Sequence, residues 1–278
     1  MMIRRPNQNR TIILLVAPAF LFVLVFFVLP LIFLLSQSVL PEEGGFTLQG
    51  YLDFFQSRVS RIVYLRTLRL GLIVTGICLV MSYPAAFVLA RMPARRRSFL
   101  MSLVILPLMT NAVARTFSWL IILGRRGMIN QTLLSLDLVE NPVRFIFTET
   151  AIVLGLAQLF LPLMVLPLVS AMENIPDDVL EAALSLGANR LTTFLRIVVP
   201  LSSDGLVLGA TLVFTGSVTA FVTPAILGGS RLLLMSTLLR QKAVILFDQH
   251  AAAVVAVVMI LTTLAVNLLL RVLRARQS

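Results

Sequence analysis

The sequence has one cysteine, one histidine, one lysine and one tryptophan among 278 residues, and only 12 acidic side chains. Cys78 has no internal partner for a disulfide, and His250 alone cannot build a metal cage, so neither redox nor zinc chemistry is expected. Lys242 is followed by Ala243, which excludes a G-x-x-x-x-G-K-[ST] phosphate loop. If ATP drives the work of this chain, another subunit binds it. Charged residues make up 13% of the chain, about half the share of a soluble domain.

What replaces them is apolar. Hydrophobic residues reach 59%, and the mean hydropathy is +0.99, the composition of an integral membrane protein. The net charge of +11 would suit a nucleic-acid partner if the basic residues clustered on one face. They flank apolar stretches instead, so the expected surroundings are membrane lipid and not nucleic acid.

A helix needs about 20 apolar residues to cross roughly 30 Å of hydrocarbon. Uncharged windows of that length occupy 11–35, 70–90, 150–172, 205–230 and 249–270, and a sixth, 98–124, is interrupted by Arg115. Six spans in a single transmembrane domain, 1–278, are expected. The first window has 25 uncharged residues, too many for a signal-peptide core, so it is read as a retained span. Residues 1–10, 91–97 and 271–278 carry ten arginines and no acid, which places these segments and both termini in the cytoplasm. The connections 36–69, 125–149 and 231–249 hold ten basic and seven acidic residues and are assigned to the outside. Segment 173–204 carries five acids and two arginines, yet helix parity puts it inside. An acidic inner loop needs a reason.

That loop reads as two short amphipathic helices. Pro176 suits a first helical position, Asp177 and Asp178 complement the positive end of the helix, and Gly187 can close it in a left-handed turn. Val179, Leu180, Ala183 and Leu184 share one face. Asn189 can cap a second helix in which Leu191, Phe194, Leu195 and Val198 recur at helical spacing, and Pro200 is expected to end it. Helices that lie on lipid are usually rich in Lys and Arg on the polar face. This pair is acidic, which favours docking onto another protein.

Glu181, Ala182, Ala183, Gly187, Ile197 and Pro200 reproduce the spacing E-A-A-x-x-x-G-x9-I-x-L-P, with Val199 in place of the leucine. This resembles the signature loop of permease subunits of ABC importers with the type I, methionine-permease-like fold. Phe46 to Phe55, the series Pro107, Arg115, Trp119, Leu123, Gly127 and Asn130, and the run from Phe221 to Gly229 are similar to the spermidine/putrescine-type branch. The resemblance implies an all-helical, six-span permease of the bacterial cytoplasmic (inner) membrane. It implies a second homologous permease, two cytoplasmic ATPase subunits that bind ATP and Mg, and an extracytoplasmic substrate-binding protein. The loop 173–204 would then be the coupling element, and this chain would not itself be an enzyme.

The cargo is less legible. The uncharged windows contain no acid to pair with an amine cation. Polyamines are expected, with ferric iron, an opine or a small anion as alternatives on the same architecture. An ion-coupled secondary transporter is the alternative of another class; it should carry ionisable groups within its spans, where only Arg115 stands. Arg115 is expected either to line the pathway or to pair with helix carbonyls, and Trp119, four residues on, either to stack on it or to lie at the interface. Ser217 and Thr219 are further pathway candidates, in a segment whose small and hydroxyl residues also suit close packing.

Overall fold

A computed structural model describes residues 8–40 and 44–275. Arg4, Arg5 and Arg276, used above for orientation, lie outside them. Every regular element among the described residues is helical. Four helices among the described residues are long and apolar enough to cross a membrane, or six if two sharply bent pairs, Ala94–Met109 with Ala112–Ile122 and Arg190–Leu201 with Ser203–Thr219, each count as one span.

The chain divides into two units, Met1–Ser57 with Leu239–Val258, and Arg58–Leu238 with Met259–Ser278. In the first, α1 (Gln8–Val23) passes through a π turn, Leu24–Val28, into α2 (Leu29–Gln37), and α3 (Gln49–Gln56) follows. The π turn precedes Pro30, which has no N–H for the Phe26 carbonyl and would crowd it in α geometry; the wider turn relieves both. Tyr51 of α3 donates to Ser38 at 2.8 Å, and His250 Nδ1 donates to the Gln37 carbonyl at the end of α2, also at 2.8 Å. Gly50 lets α3 approach that imidazole, since a Cβ there would sit 2.5 Å from Nε2. His250 is therefore a structural strap.

The second unit opens with α4 (Arg58–Ala90), a helix of 33 residues. At about 1.5 Å per residue it is roughly 50 Å long, well beyond a bilayer core. It thus begins twelve residues before the expected span at 70, in what charge alone marks as a loop. The arginines that suggest a loop pair elsewhere: Arg66 donates to Glu149 at 3.1 Å and to the Leu233 carbonyl at 3.2 Å, and Arg69 also meets Glu149. Then come α5 (Ala94–Met109), α6 (Ala112–Ile122) and α7 (Met128–Ser135). The expected span 98–124 is bent by 93° between α5 and α6. Thr110 is extended, and the Asn111 side chain accepts from the Val113 and Ala114 amides at 2.8 and 3.3 Å, so a fresh helix starts in the middle of the window.

Next are α8 (Glu149–Glu173), α9 (Asp177–Ser185), α10 (Arg190–Thr193), a π turn at Phe194–Val198, α11 (Val199–Leu201) and α12 (Ser203–Thr219). The last elements are α13 (Val222–Leu227), α14 (Met235–Arg240) and α15 (Gln249–Ala275). The expected span 205–230 is divided in the same way, because α12 stops at Thr219 and the extended Ala220 turns the chain into α13. Ser236 donates to the Ala220 carbonyl at 2.6 Å and holds that turn.

The core lies where α4, α8 and α12 meet, around Leu70, Val74, Leu156, Met164, Leu168 and Val213, all buried. Glycines set the spacing. A Cβ on Gly205 would stand 2.4 Å from the Pro167 carbonyl oxygen, and one on Gly209 would stand 2.7 Å from Met164 Sδ. The α8 and α12 backbones approach closely there, as small residues permit in membrane helices. Gly76 on α4 faces open space.

Gly205→Ala should therefore lower stability by about 1–3 kcal/mol through overpacking against backbone that cannot move aside, whereas Gly76→Ala should be neutral or stabilise by up to about 1 kcal/mol. Thermal unfolding of the detergent-purified protein checks this, and equal midpoints for the two variants would contradict the packing described.

Candidate functional site

The motif residues Glu181, Ala182, Ala183, Gly187, Ile197 and Pro200 lie on one continuous helical elbow between α8 and α12. Pro176 sits at the N-cap with extended backbone, one position before the first helical place expected for it, and Asp177 and Asp178 open α9, where their charges offset the positive helix end. Gly187 has φ +84°, the left-handed region that glycine enters without steric cost. Its amide donates to the Leu184 carbonyl and the Ala188 amide to the Ala183 carbonyl, each at 3.0 Å. These two bonds form a complete Schellman closure of α9. Asn189 then caps α10, accepting from the Thr192 amide at 2.7 Å.

The faces differ in part from the sequence reading. Of the four apolar residues assigned to one face, Ala183 is buried and Leu180 half-buried, while Val179 and Leu184 are exposed. Leu186 at the tip is 89% exposed. Glu181 and Ala182 are exposed as well, so α9 presents a carboxylate, a small residue and leucines together. Of the two alanines only Ala182 faces outward; Ala183 anchors the helix to its own fold.

Pro200 does not end the second helix. The chain widens into the π turn Phe194–Val198, with the Val199 amide donating back to Phe194, and remains helical to Leu201. As before Pro30, the wide turn accommodates a proline without ending the helix. Val198 is fully buried, Ile197 is half-buried and Pro200 is exposed.

The elbow is fastened to α4 and α5 by contacts that the motif does not announce. Phe194 stands edge-on to Tyr83 and Phe87 of α4, with ring centres 6.0 and 5.3 Å away. Tyr83 and Ser202 hydroxyls meet at 3.3 Å. Arg97 at the start of α5 pairs with Glu173 at the end of α8 at 2.7 Å. The Arg91 guanidinium lies 4.1 Å from the Phe87 ring centre; burial pushes it below its usual range, and the Asp177 carboxylate opposes that shift. Aromatic residues at 83, 87 and 194 were visible in the sequence, but their meeting depends on how α10 folds back.

The pathway candidates fall on two elements. Arg115 on α6 donates to the Pro107 carbonyl at the open C-terminal end of α5 and to Thr110 Oγ1 at 3.3 Å. Trp119 Nε1 donates to Gln158 Oε1 of α8 at 3.1 Å, a partner that spacing could not reveal. On α12, Ser217 is buried and donates to the Val213 carbonyl at 2.7 Å, while Thr219 is exposed and donates to the Thr215 carbonyl at 2.8 Å. No hydrogen bond among the described residues joins the α6 pair to the α12 pair. Thr116 and Thr223, 3.4 Å apart, instead connect α6 with α13.

Residues 82–278 match the family described as "Binding-protein-dependent transport system inner membrane component". The spermidine/putrescine transport system permease protein PotB of Escherichia coli strain K12 is 36% identical over 218 residues, covering 76% of this chain and 79% of that protein. PotB of Haemophilus influenzae is 35% identical over 218 residues, 76% of each chain. The molybdenum transport system permease protein ModB of Azotobacter vinelandii is 34% identical over 164 residues, 59% of this chain and 71% of that one. Among solved structures, a bacterial ABC transporter that imports the acidic polysaccharide alginate aligns at TM-score 0.78 and 16% identity, covering 97% of this chain and 96% of that one. A structure of the bacterial alginate transporter with its alginate pentasaccharide-bound periplasmic protein aligns at TM-score 0.80 and 17% identity, over 95% and 93%. The chain therefore belongs to the binding-protein-dependent transport system inner membrane component family, and it is a multi-pass inner-membrane permease with the all-helical ABC importer fold.

Proposed function

We propose that this chain is one half of the membrane pore of an ATP-driven polyamine importer, and that the elbow at 173–204 receives motion from a separate ATPase. The observation that supports this reading best is the exposed face of α9. It joins the Glu181 carboxylate and Ala182 to the uncovered Leu184 and Leu186, on a helix closed by hydrogen bonds at its C-terminus. Such a surface is costly to leave in water and too acidic to suit lipid. It fits a cleft on a soluble partner.

On this reading there are six spans in one permease domain with both termini inside: the bent pair α5 and α6 forms one, α12 with α13 forms another, and α10 and α11 belong to the cytoplasmic elbow. A second homologous permease completes the pore, two cytoplasmic ATPase subunits bind ATP and Mg, and an extracytoplasmic binding protein delivers the cargo. Hydrolysis belongs to the ATPase subunits, and this chain binds no cofactor. Closure of the ATPase pair pushes α9, and the push passes through Phe194 into α4 and through the chain itself into α8 and α12. The choice of spermidine or putrescine rests on the PotB relatives, which share more than a third of aligned positions in the E. coli case. Arg115 Nη1 donates to the end of α5, which supports a structural role for this arginine beside the pathway role.

Reconstituted with its partners, the protein should take up labelled spermidine or putrescine only with ATP, and excess ferric iron, opine or molybdate should not compete. Competition by one of those solutes would move the cargo while keeping the machinery.

Glu181→Lys and Gly187→Asp should each cut uptake roughly tenfold or more, the equivalent of about 1.4 kcal/mol of lost coupling, while membrane insertion stays normal. No side chain stands near Gly187, so backbone strain alone should rank its milder variants: Gly187→Asn, tolerated in a left-handed turn, should retain more uptake than Gly187→Val. Full uptake by well-inserted Glu181→Lys would remove the coupling role.

A further inference from the structure

Four arginines crowd the turn from α4 to α5, and two of them are engaged: Arg91 lies over Phe87, and Arg97 pairs with Glu173. Arg95 and Arg96 have no ion-pair partner among the described residues. They line a cavity of about 570 Å³ together with Met92, Phe99 and Leu100. No acid lines it, and three of its five walls are apolar. The helix itself gives no reason for the pair. Both arginines lie in the first turn of α5, where the backbone end is already positive and no acidic residue offsets them.

The helix above the cavity continues the pattern. Phe99, Leu103 and Leu106 recur at spacings of four and three, so they form one stripe, and all three are exposed. On a helical projection of 100° per residue, Arg95 and Arg96 flank that stripe on either side at its base. From Arg96 to Leu106 the rise is about 15 Å. One face of α5 therefore offers two guanidinium groups over a hollow, then an uncovered apolar track along the helix axis. A phosphate between two forked donors, with hydrocarbon running away from it, matches this layout in charge and in shape.

We propose that this cradle is a binding site for an anionic phospholipid, with its phosphate held by Arg95 and Arg96 and an acyl chain lying along Phe99, Leu103 and Leu106. The site goes beyond the transport reading and does not depend on the identity of the cargo. It needs only a chain embedded in a bilayer. Arg97 takes no part, because its ion pair with Glu173 links α5 to α8.

Native mass spectrometry of the full-length protein, purified alone and within its assembled complex, tests the site. Each sample is titrated with phosphatidylglycerol and phosphatidylcholine of matched acyl chains. Wild type should retain phosphatidylglycerol with roughly tenfold preference, and the preference should fall as salt screens the arginines. R95Q/R96Q should abolish it with an unchanged unfolding midpoint, whereas R125Q/R144Q, in another basic cavity, should preserve it. Equal retention of the two lipids by wild type, or an undiminished preference in R95Q/R96Q, overturns the proposal. So does loss of the preference once the second permease is bound, because that subunit and not lipid would then cover the face. Uptake is not read in this experiment, so failure of the polyamine assay and failure of the lipid site are told apart.

Discussion

The approach of the α12 backbone to α8 at Gly205 and Gly209 is the constraint on which the rest of the second unit depends. Inside a bilayer apolar side chains gain little by leaving lipid for each other, so helices associate where small residues let backbones and side chains interlock. Gly205 against the Pro167 carbonyl and Gly209 against Met164 are such places. The consequence reaches beyond packing. The elbow that carries the family motif leaves α8 at Glu173 and enters α12 at Ser203, and those two helices are in contact. Both ends of the elbow are thus rooted in one rigid pair.

What the elbow can transmit follows from which of its contacts are strong. The Arg97 to Glu173 pair is about one third exposed on each side, a setting in which ion pairs contribute about 0–1 kcal/mol. Edge-on aromatic pairs contribute about 0.5–1.5 kcal/mol each beyond the area they bury, and Phe194 makes two of them with α4. On the proposed transport reading the phenylalanine therefore carries the mechanical link, and the ion pair holds the register of α5 beside it. The π turn at Phe194–Val198 admits Pro200 while keeping a continuous helix from the Asn189 cap to Leu201, so on that same reading a displacement at Gly187 is not absorbed by a break.

Legibility from the sequence divides along the range of the interactions. Pro176, Gly187 and Asn189 act on backbone within four residues, and their roles as entry, left-handed exit and cap could be read directly. The long apolar windows locate the helices of α8 and α15 to within a few residues, because burial in lipid depends on composition alone. Failures come where a distant partner changes the meaning of a residue. Arg58 to Arg69 read as loop because the partners of Arg66 and Arg69 at Glu149 lie 80 or more positions away. Pro200 reads as a terminator because sequence rules assign proline to helix ends, whereas a π turn makes room for it. The break before α6 had a local signal in Asn111, a strong N-cap residue, but the length of the window 98–124, charged only at Arg115, outweighed it.

Arg115 joins these strands. An ionised side chain within a span costs about 2.5–3.5 kcal/mol on insertion scales, and a straight helix would leave it to find a distant partner. The bend at Thr110 supplies one from nearby, because it exposes the last carbonyls of α5, the negative end of a helix, to the guanidinium on the next turn of chain. The break and the arginine thus fit each other: the Pro107 carbonyl at the open end of α5 accepts from both the Thr110 hydroxyl and Arg115, and Arg115 would lack that acceptor without the break. A charge held in this way supports the shape of the span through one guanidinium nitrogen, Nη1. On the proposed transport reading, the selection of a cation then falls to the binding protein and the second permease, and this subunit contributes a path lined by hydroxyl and apolar groups.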